Sequence, residues 1–265
     1  MNDNPLTGPP PNEVPLPNAP LVRVIAQVRF PIIASVEKRD FIAPFQEAIR
    51  ADYAVMRQDA TNTLVNVGGQ GQIEVRSSAA WRFHDREHRW RVTLAADFLA
   101  LESGAYTSRG DFFGRFEKLM RALAAHVQPG ALDRLGVRYI DRLTDEAFDQ
   151  LAVFIQPALL GALGTAVGRH AKLAVSENVF GLPEEGGQMR ARWGILPENT
   201  TIDPNTIEAV NKRSWVLDLD AFVQGERAFE PEQVAKDATR LAERCYAFFR
   251  WSVTDRFLEH FGGKR

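Results

Sequence analysis

Between Leu21 and Phe30 apolar and polar residues alternate with period two. Val22, Val24, Ala26, Val28 and Phe30 fall on one side, and Arg23, Gln27 and Arg29, with Ile25, fall on the other. This is the pattern of a strand with one face in a core and one face open, and Pro31, which has no amide to donate, ends it. The period then becomes helical. Phe41, Phe45, Ile49 and Tyr53 recur every four residues behind Asp40, the expected N-cap, with Pro44 expected in the first turn, where its missing donor costs nothing. Strands are expected next at Thr63–Val67, 72–83 and 89–101, an antiparallel meander with a turn at Gly68-Gly69-Gln70-Gly71. Ser108 followed by Asp111 opens a second helix, whose stripe of Phe112, Phe116, Leu119, Met120, Leu123 and Val127 stops at Pro129-Gly130.

From Arg134 the order begins again. A strand at 134–143 leads to a helical stretch at 145–163, broken at Pro157, and then to strands at 171–180, 188–196 and 214–223. Pro231 opens a long last helix with Val234, Ala238, Leu241, Cys245 and Phe248 on its apolar face, continued by Phe249, Val253, Phe257 and Phe261. The expected fold is α+β: internally duplicated β-α-β-β-β-α units, 21–128 and 133–262, form one antiparallel sheet with helices on one face. Two echoes support the repeat, Val28-Arg29-Phe30 with Val137-Arg138-Tyr139 and Trp81 with Trp193. Ahead of both units, seven prolines within residues 1–20 make an extended, polyproline-like arm, expected to lie on the surface.

Composition removes whole classes of function. With 45% hydrophobic residues in 265 the chain has enough apolar surface for a core. Lys and Arg number 32 against 34 Asp and Glu, so net charge offers no attraction to nucleic acid or anionic lipid. The single cysteine, Cys245, closes no intrachain disulfide, and Met1-Asn2-Asp3-Asn4 lacks the basic and apolar regions of a signal peptide. No apolar run reaches the roughly 20 residues that span a bilayer. The expectation is a cytoplasmic protein without a membrane segment.

Several stretches carry a family likeness: Val28-Arg29-Phe30-Pro31, Trp81-Arg82-Phe83, Phe98-Leu99-Ala100-Leu101-Glu102 with Tyr106 and Asp111-Phe112, and Arg134-Leu135-Gly136-Val137-Arg138-Tyr139-Ile140. On these the chain resembles a sporadically distributed bacterial family of similar length that has no assigned activity. The resemblance spans nearly the whole chain, implies a bacterial cytoplasmic protein with patchy inheritance, and supplies no catalytic residues.

Among chemical motifs, His84-Asp85-Arg86-Glu87-His88 matches H-x-x-E-H, in which His84 and His88 would bind zinc and Glu87 would act as general base. That chemistry needs a helix and a third ligand, whereas the period-two flanks Trp81, Phe83, Trp90, Val92 and Leu94 make the string a hairpin tip. Asp218 and Asp220 share one strand face and read as its polar side. No nucleophile elbow, Walker A loop or C-x-x-C pair is present, and Cys245 reads as a packed thiol. The ligand-contact candidates are Arg29 and Arg138, expected at related places on the open sheet face, with Glu102 or Asp141 as pairing carboxylates or an anionic ligand bridging them. The leading functional expectation is a non-catalytic binding or assembly protein acting through a sheet surface, without a cofactor, with a protein partner or a second copy of itself. The alternatives are a metal-dependent hydrolase built on His84, Glu87 and His88, and a single-stranded nucleic-acid binder using Trp81, Arg82, Arg86, Arg89, Trp90 and Arg91.

Overall fold

The computed structural model describes residues 4–67 and 72–264, and over 60–67 and 72–79 the path of the backbone alone. Strands β1 (Leu21–Arg29), β2 (Val55–Val67), β3 (Gln72–His84), β4 (Trp90–Ala95), β5 (Phe98–Ser103), β6 (Ala131–Leu143), β7 (Ala174–Gly181), β8 (Gly187–Leu196) and β9 (Ser214–Ala228) form one sheet. Its order is β2-β3-β4-β5-β1-β6-β9-β8-β7, and every neighbouring pair is antiparallel. The long helices are α1 (Arg39–Ile49), α2 (Arg109–His126) and α6 (Pro231–Ser252). Shorter ones are α3 (Asp145–Asp149), α4 (Leu151–Phe154), α5 (Pro157–Leu160) and α7 (Asp255–His260). No helix among the described residues is long and apolar enough to cross a membrane.

The alternation in β1 does what its pattern dictates. Val24, Ala26 and Val28 stand opposite Tyr139, Val137 and Leu135 of β6 and opposite Ser103, Leu101 and Leu99 of β5. Cross-strand partners share a face, so these residues form one mostly apolar surface, with the buried Ser103 as its polar member. Phe112, Phe116 and Leu123 of α2 and Ala238, Leu241 and Cys245 of α6 are buried in the same core. Each large apolar side chain sealed there contributes roughly 1.5–3 kcal/mol. Ser108 caps α2 by accepting the Asp111 amide at 3.1 Å, as its sequence pattern implies. Trp81 donates its indole N–H to the Val36 carbonyl at 2.7 Å, and it and Trp90 are buried toward the helices.

Outwards from the central β1–β6 pair the order is symmetric: β5, β4 and β3 on one side, β9, β8 and β7 on the other, with β2 added beyond β3. The expected strand at 89–101 is two strands, because Ala96-Asp97 makes a turn without glycine or proline. Long-range bonds hold it: Phe30 and Ile33 donate their amides to the Asp97 and Ala96 carbonyls at 3.0 and 2.8 Å. The first half therefore has four strands between its helices, and the uniform β-α-β-β-β-α count fails there. The helical stretch expected at 145–163 is the short run α3, α4 and α5, continued by 3-10 turns to His170, since Pro157 and the glycines at 161, 164 and 168 interrupt it. Helix α1 begins at Arg39 without a side-chain cap; Asp40 lies inside its first turn, and Pro44 falls inside the helix. The last helix ends at Ser252: Val253 bridges Ile155, and Thr254 restarts the chain as α7 by capping the Phe257 amide. The turn at 68–71 lies outside the described residues.

The proline-rich arm is strapped to the body. The Val14 amide donates to the Tyr246 hydroxyl at 2.7 Å, that hydroxyl donates to the Asn12 carbonyl, and Arg244 of α6 donates to the Gly8 carbonyl at 2.9 Å. At the far end a Cβ on Gly263 would stand 2.9 Å from Leu16 Cδ2 and 3.0 Å from Val14 Cγ1, so glycine lets the arm close on the C-terminal turn. At the sheet edge Gly194 has φ +149, and a Cβ there would meet the Ala174 carbonyl oxygen at 1.9 Å. Gly194→Ala is therefore expected to separate β7 from β8 and lower unfolding stability by at least about 1 kcal/mol in urea titrations.

Candidate functional site

The face of the sheet turned away from the helices carries the arginines. Arg138 of β6 forms a fork on Asp218 of β9, Nε to Oδ1 at 2.7 Å and Nη2 to Oδ2 at 2.9 Å, and reaches Asp203 of the β8–β9 connection at 2.8 Å. Burial alone would lower the Arg138 guanidinium pKa; the hydrogen bonds and charge of Asp218 and then Asp203 more than reverse this and leave it above its ordinary value. Arg192 of β8 binds the same Asp218 at 2.6 Å, and Asp220 is shared by Arg134 at 3.1 Å and Arg190 at 3.4 Å. The Arg134 guanidinium folds back over Gly136, whose missing Cβ would lie 2.6 Å from Nη1, and stacks 4.5 Å from the Phe222 ring centroid.

This lattice changes the expected roles of four residues. Arg29 stands opposite Arg134, whereas Arg138 stands opposite Ile25. Four ladder positions, about 13 Å at 3.3 Å per residue, separate the two arginines, too far for one small anion to bridge. Arg29 pairs with Asp97 in the β4–β5 turn and is 48% exposed; Glu102 is held by Arg91, with Nε at 2.6 Å from Oε1. Asp141 is on the other face altogether: it stands opposite Leu217 of β9, among the residues that look toward the helices. One substitution pair separates the two arginines. Arg138→Ala removes the fork on the 1% exposed Asp218, which keeps Arg192 as its partner, and is expected to cost about 1.5–3 kcal/mol, whereas Arg29→Ala is expected to cost under about 1 kcal/mol, both read from urea unfolding.

The H-x-x-E-H string is a hairpin tip between β3 and β4, with His88 at φ +54 and the Trp90 amide donating to Asp85 Oδ1 at 2.9 Å. The His84 and His88 rings lie 5.1 Å apart across the turn, and burial, then the charges of His88 and Arg91, lower the His84 pKa. Without a helix the zinc-peptidase geometry is lost, and among the described residues no group of three or more His, Cys, Asp or Glu could hold a metal. The buried Trp81 and Trp90 present no ring face to a nucleic-acid base.

Where the arm crosses the sheet centre it roofs a cavity of about 280 Å³. The arm contributes Glu13, Val14, Pro15, Leu16 and Ala19; Tyr106 to Arg109 enter from the start of α2; Cys245, Tyr246 and Phe249 come from α6. The floor is Leu21, Tyr139, Asp141 and Leu219. Asp141 is 7% exposed, and among the described residues nothing hydrogen-bonds to or pairs with its carboxylate. Burial alone pushes it up to about 7. Tyr106 and Tyr139 meet edge to face with ring centroids 5.8 Å apart. Burial raises Tyr106 to about 12, and burial with the neighbouring Tyr106 phenol raises Tyr139 well above the ordinary phenol value. The Cys245 thiol lies 3.7 Å from the Val137 carbonyl oxygen, and burial pushes its pKa well above the ordinary thiol range. Sequence reading named Asp141 but not the cavity, whose walls are distant in the chain. The legible signal was Val14 and Leu16, apolar residues in an arm assigned to the surface.

No protein-family model matches the chain, and no curated protein and no solved structure matches it. The site stands on its geometry. Because the Asp141 carboxyl binds its proton more tightly in the folded protein than at its ordinary value of 3.8, its contribution to stability is full below about pH 4 and declines as pH rises to about 7. At about 1.4 kcal/mol per pH unit the loss is roughly 4 kcal/mol. Asp141→Asn is expected to flatten that slope and to be the more stable protein at about pH 8, by thermal denaturation across pH 4–8.

Proposed function

We propose that the chain is a non-catalytic binding protein of the bacterial cytoplasm that holds a small organic ligand between its proline-rich arm and the sheet centre. The observation that carries this reading is the unpartnered, buried Asp141 carboxylate on the floor of a cavity with otherwise mostly apolar and aromatic walls. A buried polar group without a protein partner costs stability, and a ligand that satisfies it recovers the loss. The cavity volume lies just below the roughly 300–1,000 Å³ common for small-molecule pockets. Asp141 near neutrality would suit a general base, but the wall offers no activated nucleophile beside it: the phenols of Tyr106 and Tyr139 and the Cys245 thiol are all held in their protonated forms.

The open sheet face, to which the sequence pointed, already has most of its arginines engaged by carboxylates, and this moves the reading to the cavity. A protein partner or a second copy remains a separate reading with its own observation. Strand β7 is a sheet edge with a single charged residue, and Val175 and Val179 on it are 44% and 61% exposed. The two halves are further read as copies of one unit. Support comes from the symmetric strand order about β1 and β6, with β2 as an addition to the first copy.

Soaking crystals with a library of small organic fragments is expected to place at least one fragment between Leu16 and Asp141. A library that occupies other surfaces and leaves this cavity empty would remove the proposal.

A further inference from the structure

The character of the cavity wall selects among ligand chemistries. Its lining holds two carboxylates, Glu13 and Asp141, against one guanidinium, Arg109. That guanidinium is already taken: it lies 3.9 Å from Glu13, 3.6 Å from Glu243 and 5.3 Å from the Tyr246 ring centroid. The start of α2 also opens here, and a helix N-terminus favours anions, but Ser108 caps it and Asp111 occupies its first turn. What remains uncompensated is the Asp141 carboxylate. The same cavity is lined by the rings of Tyr106, Tyr139 and Phe249, whose π faces attract positive charge, while that of Tyr246 is taken by Arg109. A bare divalent ion is a poor match, because hard cations take six or more oxygen ligands and the floor presents one carboxylate.

We infer that the cavity takes an organic ammonium ion, its charged head on Asp141 and among the tyrosine rings, its apolar body against Val14, Leu16, Leu21 and Leu219 under the arm. This rests on the cavity being a ligand site, and adds the class of ligand. The head supplies N–H donors or positive charge to a carboxylate that the protein leaves without either. The arm is held over the body by the Val14–Tyr246 bond.

The test compares three six-carbon probes with different heads, n-hexylammonium, hexanol and hexanoate, titrated calorimetrically at about pH 8.5, where both Asp141 and the ammonium are charged. The expected result is hexylammonium bound at least about tenfold more tightly than hexanol, with hexanoate weakest, and the ammonium preference lost in Asp141→Asn. Hexanol or hexanoate binding as tightly as the ammonium, or an ammonium preference that survives Asp141→Asn, overturns the inference while leaving the cavity as a ligand site. Failure of all three probes overturns it too, and if the fragment soaks also leave the cavity empty, the binding reading falls with it. The three-probe ranking on the unaltered protein decides the ligand class even if the variant folds poorly.

Discussion

Everything in this molecule is referred to the antiparallel pairing of β1 with β6. Because side chains alternate with period two, the register that sets Ala26 opposite Val137 also decides which face every other residue of the two strands occupies. Shifting one strand by a single residue would turn Val24, Ala26 and Val28 out of the helix layer and Arg23, Gln27 and Arg29 into it. The pair is fixed from both sides. Apolar packing from α2 and α6 holds one face, and the Arg138–Asp218 and Arg134–Asp220 contacts hold the other.

That same pairing puts Asp141 where an acid is expensive. It follows Tyr139 by two residues and so shares the helix side, at the end of the ladder where the β1 register slips between Leu21 and Arg23. There the helices leave room and the arm supplies the roof. A protein that needed only a core would have an apolar residue in that place, since a buried carboxylate without a partner destabilises the chain that carries it. The proposed ligand site rests on this uncompensated carboxylate beside a half-open cavity with aromatic walls.

The open face shows the opposite economy. Asp218 and Asp220 each take two arginines, so charges that look reactive along the sequence are largely neutralised by their cross-strand neighbours. Forks of this kind fix geometry, and removing one arginine leaves each aspartate with its second. The hairpin histidines are a further case in which spacing without the right backbone loses the motif's geometry: His84 and His88 face each other across a turn, and among the described residues no third ligand joins them.

What the sequence determined by itself was local. The alternation of β1, the stripe and Ser108 cap of α2, the hairpin nature of 84–88 and the burial of Cys245 all follow from periodicity and propensity within a few turns of chain. Tertiary structure alone decided the turn at Ala96-Asp97, which distant amides hold, and the break of the last helix at Val253, which a bridge to Ile155 imposes. It also decided the partners of Arg29 and Arg138 and the side on which Asp141 lies. A carboxylate's neighbours come from strands and helices roughly a hundred residues away, as Leu219 and Cys245 do for Asp141. The assembly of Glu13, Tyr106, Asp141 and Tyr246 around one cavity is a property of packing, and no single stretch of sequence contains it.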